Sequence, residues 1–299
     1  MELIKRVLTA VVLIPIVLLL VLRAPVPVLA FVTGVVALLA IHELLKLSEA
    51  YGIRPLRWPT YSFVGLFFLA IAIPGATPLL STSAFTFTAF SAAVLAPFLF
   101  LAIAMHRAEL ASAFPAALVS AFAFVYIALP LAALVQLREQ WQGSFDLLYL
   151  LLLVWSGDVF AYFIGKPFGR HHMSPRVSPN KTWEGAVASV IASVAVGLLM
   201  FNYALPISTA LLHAHLIELR DGVFNNQPQS LIPIIVLSVT LNIAAQLGDL
   251  VESLIKRGAG AKDSGAILPG HGGIFDRIDA LLFAAPVLWC YAAWRVMMQ

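Results

Sequence analysis

Long apolar stretches follow one another along almost the whole chain, and they constrain its fold more than any other feature. Nine of them are long enough, or nearly long enough, to cross a bilayer core of about 30 Å. They lie near residues 7–22, 26–47, 58–75, 84–105, 115–137, 145–165, 184–205, 229–248 and 279–298. With 61% hydrophobic and only 11% charged residues, no water-soluble core of this size could bury so much apolar surface. Because helices satisfy their own backbone hydrogen bonds in lipid, the sequence predicts an all-α, polytopic integral membrane protein.

The basic residues predict how the chain is oriented in the membrane. If the N-terminus, with Lys5 and Arg6, is cytoplasmic, 14 of the 18 Lys and Arg residues face the cytoplasm. The four on the outer side are Arg23, Arg138, Arg220 and Arg295. Cytoplasmic loops of membrane proteins carry such an excess of positive charge. We therefore predict about nine transmembrane helices with a cytoplasmic N-terminus.

The polar residues predict two regions of different character. Residues 1–145 are expected to form N-terminal transmembrane helices without a recognisable motif. Residues 146–299 are expected to form a C-terminal transmembrane region with two polar cytoplasmic loops, at 166–183 and 249–279. The single cysteine, Cys290, excludes an internal disulfide and a thiolate zinc cage.

The first polar loop has the composition of an anion-binding site. Asp158 precedes it inside an apolar span, where a carboxylate is costly unless it is paired or bound to a cation. The segment SPNKTWEG places Ser178 and Lys181 just before a predicted helix start at Thr182. Backbone amides and the helix dipole at such a start favour a negative charge. A basic loop that merely touches lipid headgroups is an equally good interpretation of these charges.

The second polar loop begins with a polar helix face. If the helix of the preceding span continues, one face carries, by i, i+3 and i+4 spacing, Gln246, Asp249, Glu252, Ser253 and Lys256. A stretch with six glycines follows, at positions 258, 260, 265, 270, 272 and 273, and it also contains Lys262, Asp263 and His271. Glycines let a backbone approach a phosphate closely, and lysines supply the counter-charge.

Several carboxylates among these cations predict metal and phosphate chemistry. Asp249, Asp263, Asp276 and Asp279 supply hard oxygen atoms, which Mg²⁺ takes together with substrate phosphates. Such a metal neutralises charge on a transferring phosphoryl group. Helix capping by Asp276 or Asp279 is the structural alternative, but it accounts for one aspartate rather than four. No zinc-protease, nucleophile-elbow, Walker or dinucleotide-binding motif is present.

The second loop resembles the signature of the phosphatidate cytidylyltransferase (CDP-diacylglycerol synthase) family over 27 residues. The matching run is Ser253-Leu-Ile-Lys256-Arg257, four residues, Lys262-Asp263-Ser-Gly265, two residues, Leu268-Pro269-Gly-His271-Gly272-Gly273-Ile-Phe-Asp276-Arg277-Ile-Asp279. Asp158, Tyr162, Gly165 and SPNKTWEG also resemble the family, as does the polytopic layout. The similarity in motifs covers about residues 155–285.

The resemblance implies that the C-terminal region is catalytic and that CTP and phosphatidic acid form CDP-diacylglycerol and pyrophosphate, with one or two cations including Mg²⁺. The implied metal ligands are Asp249, Asp276, Asp279 and Asp158, and the implied catalytic residues are Asp249, Asp276, Lys262 and Asp263. The implied substrate-binding residues are Ser178, Lys181, Ser253, Lys256, Arg257, His271, Gly272, Gly273 and Arg277. It also implies a homodimer among membrane lipids, without a nucleic-acid partner. In a bacterium the location would be the inner membrane, with the active site at the cytoplasmic face.

Three alternatives remain open at this point. A CTP-dependent polyprenol kinase, or a cytidylyltransferase for an ether-linked archaeal lipid, would share the polytopic body and the nucleotide chemistry. A transporter would use Asp158 and Asp249 as an ion path. We find no inverted repeat of the kind that transporters show, and a transporter gives no reason for the glycine-rich basic loop.

Overall fold

Helices make up most of the chain in the computed structural model, which describes residues 2–73, 81–224, 230–267 and 272–297, with side chains from residue 11 onward. The helices are α1 (Glu2–Arg23), α2 (Val26–Ala50), α3 (Arg57–Ala72), α4 (Thr82–Ala104), α5 (Leu110–Ala123), α6 (Leu129–Glu139), α7 (Gly143–Phe168), α8 (Trp183–Asn202), α9 (Ala204–His213), α10 (Ile232–Gly258) and α11 (Phe275–Met297). A π-helical turn, Phe124–Ala128, joins α5 to α6, and two short strands, β1 (His172–Ser174) and β2 (Ser178–Thr182), precede α8.

Seven helical spans among the described residues are long and apolar enough to cross a membrane. They are α2, α4, α7, α8, α10, α11 and the continuous Leu110–Glu139 span that α5 and α6 form together. The two other predicted stretches correspond to α1, whose described apolar part is Val11–Arg23, and to α3, which has 16 residues. The all-α polytopic membrane fold is confirmed. The count of nine and the cytoplasmic N-terminus stay predictions, and the side chains of Lys5 and Arg6 lie outside the described ones.

The surface of the helices is apolar in the way that a lipid environment requires. Only 17% of the α4 span is buried within the chain. Large aromatic side chains on α4, such as Phe87 and Phe90, are 73% and 68% exposed. Water-soluble proteins rarely expose contiguous apolar surface of this kind. The bilayer therefore covers what the protein leaves open.

The described chain forms two compact units. Unit 1 comprises Met1–Ile14, Pro25–Glu139 and Ile255–Ile278, and unit 2 comprises Pro15–Ala24, Gln140–Leu254 and Asp279–Gln299. The second polar loop thus contributes residues to both units. The functional division that we predict between residues 145 and 146 stays a prediction.

Unit 1 is built around α2, which packs against α3, α5 and α6. The ring of Phe63 lies edge-on to those of Phe100 and Phe124, with centroids 5.6 and 4.8 Å apart. Such geometry directs the positive ring edge at a negative ring face, which adds to the burial of apolar area. Helix α2 also carries Glu43, a buried carboxylate that contacts the second polar loop.

Unit 2 is built around α7 and α8, which pack against each other. The hydroxyl of buried Tyr149 lies 2.8 Å from Ser238 Oγ of α10. Arg295 of α11 donates to Asp146 of α7 at 2.7 Å, and this ion pair is largely buried. The first polar loop folds as an antiparallel hairpin of β1 and β2, with His172 opposite Thr182 and Ser174 opposite Ser178. Helix α8 begins directly after this hairpin.

Candidate active site

Three carboxylates of unit 2 meet in one acidic cluster. Asp249 and Glu252 come from α10, and Asp279 comes from the first turns of α11. Each carboxylate contributes one oxygen atom, and these three oxygen atoms all lie within 4.8 Å of one another. Asp249 and Glu252 share a helix face because they are three residues apart. Glu252 is fully buried, whereas Asp249 and Asp279 are partly accessible.

A close approach of two helices makes the acidic cluster possible. A Cβ atom at Gly248 would lie only 2.3 Å from the backbone oxygen of Asp279. Any side chain at position 248 would therefore push α11 away from α10. The residue before Asp249 is a glycine because α10 and α11 pack backbone to backbone at this point.

The β-hairpin brings a cation to the acidic cluster. Lys181 lies in β2, and its Nζ atom is 2.6 Å from Asp249 Oδ2. The next residue, Thr182, caps α8 by accepting a hydrogen bond from Gly185 N at 3.3 Å, as the predicted helix start requires. Ser178 lies at the other end of β2, opposite Ser174. Of the two first-loop residues predicted to bind substrate, the structure therefore brings Lys181 to Asp249.

A cavity of about 290 Å³ opens beside this ion pair. Its walls come from α7, the hairpin, α8 and α10 and include Asp158, Lys181, Gln246 and Asp249. Asp158, on the candidate membrane span α7, therefore lines the same cavity as the Lys181–Asp249 pair. The acidic cluster does not include Asp158.

Asp276, in unit 1, anchors the glycine-rich loop. Its Oδ1 atom accepts a hydrogen bond from Lys256 Nζ at 2.5 Å. Its Oδ2 atom accepts from Ser264 N at 2.9 Å and from Gly273 N at 2.7 Å, and it lies 2.9 Å from Ser264 Oγ, whose single hydrogen can go either to it or to Glu43 Oε2. Gly272 has a φ of 79°, and a Cβ atom there would lie 2.5 Å from Asp276 Oδ2. Two backbone amides of the described loop residues thus point at one carboxylate, and the close approach and positive φ at position 272 require glycine.

Glu43 of α2 is a second anchor of this loop, and sequence reasoning missed it. Glu43 is 2% exposed, and its carboxylate accepts hydrogen bonds from Ile274 N at 3.1 Å and Phe275 N at 2.8 Å. Its Oε2 atom also lies 2.9 Å from Ser264 Oγ. The two backbone amides belong to the start of α11, whose unsatisfied N–H groups and dipole favour an anion. A carboxylate inside an apolar helix was the available signal.

The remaining predicted residues have the following positions. Ser253 Oγ lies 3.4 Å from Asp249 Oδ1, and Arg257 Nη1 donates to Ala261 O at 3.3 Å. Lys262, Asp263 and Arg277 are exposed in unit 1. His271 lies outside the described residues. Glu252 joins the acidic cluster although the sequence placed it only on the same helix face as Asp249.

Chemically, the unit 2 site combines hard anionic oxygen atoms with a lysine beside a cavity. Three carboxylates of this kind are suited to a hard divalent cation, and a lysine ammonium is suited to a phosphate oxygen. The site thus offers both kinds of group that a nucleotide phosphate needs.

Comparisons with known proteins agree with this chemistry. The chain matches the model of the cytidylyltransferase family over residues 4–294. It is 41% identical over 151 residues to a phosphatidate cytidylyltransferase of Brucella abortus (biovar 1, strain 9-941), covering 50% of this chain and 48% of that protein. It is 40% identical over 149 residues to the Staphylococcus aureus (strain COL) protein of that name, covering 49% and 48%.

A third relative is the phosphatidate cytidylyltransferase of Haemophilus influenzae (strain Rd), which is 36% identical over 151 residues. The match covers 50% of this chain and 46% of that protein. The chain spans about half the length of the curated relatives it matches. The family model, in contrast, extends over nearly all of the chain. The chain belongs to the cytidylyltransferase family.

Proposed function

We propose that this protein transfers a cytidylyl group from CTP to phosphatidic acid, giving CDP-diacylglycerol and pyrophosphate. The observation that carries the proposal is the acidic cluster beside Lys181 and its cavity, in a membrane protein of the cytidylyltransferase family. The names of the three relatives support the choice of phosphatidic acid as the acceptor.

The donor set of the acidic cluster fits Mg²⁺. Carboxylate oxygens are the hard ligands that this cation takes, and Asp249, Glu252 and Asp279 bring one each to within 4.8 Å of the others. A Mg²⁺ ion held by these residues would help to neutralise the charge of the nucleotide phosphates and to orient them. We propose Asp249 and Asp279 as ligands, as the sequence predicts, and add Glu252. Metal-binding roles for Asp276 and Asp158, and a second cation, stay predictions.

The reaction needs little proton transfer. The phosphate of phosphatidic acid is already an oxyanion at neutral pH, so its oxygen can attack the α-phosphorus of CTP without a general base. The new P–O bond forms as the bond from the α-phosphorus to the bridging oxygen breaks, and pyrophosphate leaves with both electrons. Because anionic groups must approach one another, neutralising their charge is the main task of the protein.

Lys181 is the chain's own group best placed for that neutralisation in unit 2. Its side chain is 24% exposed and that of Asp249 is 40% exposed, so a phosphate oxygen can reach the lysine from the cavity. Ser178 and Ser253 are proposed to assist in holding substrate. In unit 1, phosphate-binding roles are proposed for Lys256, Arg257, Lys262, Arg277 and the glycine backbone at 272 and 273. Catalytic roles for Lys262 and Asp263 likewise stay proposals.

We further propose that the site faces the cytoplasm, because CTP is made there and the basic loops are predicted on that side. Phosphatidic acid would keep its acyl chains in the bilayer and present its head at the same surface. The homodimer and the inner-membrane location stay proposals of the same kind.

The test is an assay of purified protein in detergent with phosphatidic acid, labelled CTP and Mg²⁺, with and without chelator. We expect CDP-diacylglycerol and pyrophosphate, and the loss of both when the chelator is present. The Asp249→Asn variant serves as the inactive control. Release of CDP with a polyprenol acceptor, and no product with phosphatidic acid, would replace this proposal by the lipid-kinase alternative.

A further inference from the structure

The cavity of unit 2 contains one wall residue whose orientation is determined by its neighbours. Gln246 of α10 lines the cavity together with Lys181 and Asp249. An occupant within reach of the proposed phosphate-binding lysine would therefore also be near this amide. The volume of about 290 Å³ is close to the lower end of the range for small-ligand pockets.

A buried polar network lies behind Gln246. Asn242, one helical turn earlier, is 1% exposed, and its Nδ2 atom donates to Ser189 Oγ and to Ser193 Oγ, both at 2.8 Å. Ser193 Oγ in turn donates to Leu153 O at 2.9 Å, which uses its only hydrogen. Ser193 can therefore only accept from Asn242. The Asn242 amino group must face the serines, and its Oδ1 atom must face Gln246.

The side-chain amide of Gln246 can therefore satisfy its hydrogen bonds in one orientation. Its Nε2 atom donates to Asn242 Oδ1 at 2.5 Å and to Ala186 O at 3.3 Å, and both of these atoms can only accept. Both amide hydrogens are used, so Oε1 is the atom that Gln246 can offer to the cavity. No residue in the described part of the chain donates a hydrogen bond to Oε1. A residue of the cavity wall thus has one side-chain atom left for an occupant, and that atom is a hydrogen-bond acceptor.

We infer that Gln246 Oε1 accepts a hydrogen bond from the exocyclic 4-amino group of a cytosine ring in this cavity and so selects CTP over UTP. The inference rests on the proposed function and names the group that selects its nucleotide. Cytosine donates from its 4-amino group. Uracil has a carbonyl oxygen at that position, and this acceptor would face Gln246 Oε1, which is also an acceptor. The network through Asn242 prevents the amide from turning its amino group to uracil. A site built to pair one polar group rejects the analogue that leaves it unpaired.

The test compares kcat/KM for CTP and UTP in three variants of α10. In Gln246→Met the acceptor is lost at nearly constant side-chain length, and we expect the CTP-over-UTP ratio to fall by about tenfold or more. Gln246→Glu keeps an acceptor oxygen for the cavity but can no longer donate to Asn242 Oδ1 or Ala186 O, so its ratio should fall less than that of Gln246→Met, whatever the absolute rate. The matched control is Leu247→Met, because Leu247 is the next residue and is 48% exposed; both rate and ratio should stay at the wild-type values.

The outcomes separate this inference from the proposed function. If wild type forms no lipid product with phosphatidic acid and either nucleotide, the proposed function is wrong. If wild type is active and Gln246→Met keeps the full ratio, the inference is overturned and the function stands. Should Gln246→Met fail to fold, wild type is assayed with a triphosphate whose pyrimidinone ring lacks the 4-amino group. A kcat/KM equal to that of CTP would then overturn the inference, and a fall of about tenfold or more would support it.

Discussion

Replacing Glu43 by glutamine should loosen the glycine-rich loop of unit 1. In wild type, Oε1 of Glu43 accepts from Ile274 N, and Oε2 accepts from Phe275 N and lies 2.9 Å from Ser264 Oγ. A glutamine keeps one acceptor oxygen and puts an amino group in place of the other. In either orientation, one backbone N–H at the start of α11 would face this amino group and lose its acceptor. The Ser264 hydroxyl can rotate to adapt, but a backbone amide cannot.

The cost follows from the burial of Glu43. Its side chain is 2% exposed, so water cannot replace the lost acceptor. Leaving one buried donor unsatisfied costs about 1–3 kcal/mol, and losing the anion at the start of α11 adds about 0.3–1 kcal/mol. We therefore expect Glu43→Gln to lower the free energy of unfolding by about 1–4 kcal/mol. Activity should fall as well, because Ser264 and Gly273 of the same loop donate to Asp276.

The assay is thermal unfolding in detergent, run beside the turnover assay. Glu49→Gln is the matched control, because Glu49 lies on the same helix and pairs with Arg57 at 2.7 Å with both side chains partly exposed. An exposed pair contributes about 0–1 kcal/mol, so this control should unfold close to wild type. Equal melting temperatures for Glu43→Gln and wild type, with equal turnover, would refute the anchoring role.

Three further substitutions test the two units separately. Gly248→Ala should lower both stability and turnover, because its Cβ atom would lie 2.3 Å from the Asp279 backbone oxygen. Its control is Gly65→Ala, which should lower neither, because nothing lies within 4 Å of a Cβ atom there. Equal melting temperatures of the two variants would contradict the close approach. Asp249→Asn should abolish turnover while the protein still elutes as a folded species in detergent, and activity above about a tenth of wild type would contradict the metal-binding role. Lys262→Ala should leave the melting temperature unchanged, since Lys262 is exposed, and should raise KM for CTP or phosphatidic acid. An unchanged KM for both substrates would remove Lys262 from the proposed phosphate-binding residues.

Helix spacing along the sequence predicted much of the local structure. The polar face of α10 is visible as Gln246, Asp249 and Ser253, because residues three and four apart share a helix face. The start of α8 after Thr182 is visible from its capping residue. The hairpin of β1 and β2 was not predicted, because the charges of the first loop suggested only an anion site and carried no alternating apolar pattern.

Glu43 and Gln246 show why the rest could not be predicted. Glu43 is separated from Ser264 by 221 residues, and nothing in the local sequence indicates which amides a carboxylate in an apolar helix will meet. The single acceptor that Gln246 presents depends on a serine of α8 whose hydrogen is used by a carbonyl of α7. Hydrogen-bond direction of this kind is a property of several packed helices rather than of any one segment.

The sequence by itself determined the membrane class, the helices and the position of the polar loops, because hydrophobicity and residue spacing act over one or two turns of a single segment. It also carried the signature that relates the second loop to its family. Only the tertiary structure decided that Glu252 completes the acidic cluster, that Gly248 lets α10 and α11 meet, and that Asp276 accepts from the backbone of Ser264 and Gly273. The physical reason is that ligand sets and close approaches depend on distances between segments, and those are determined when the helices pack.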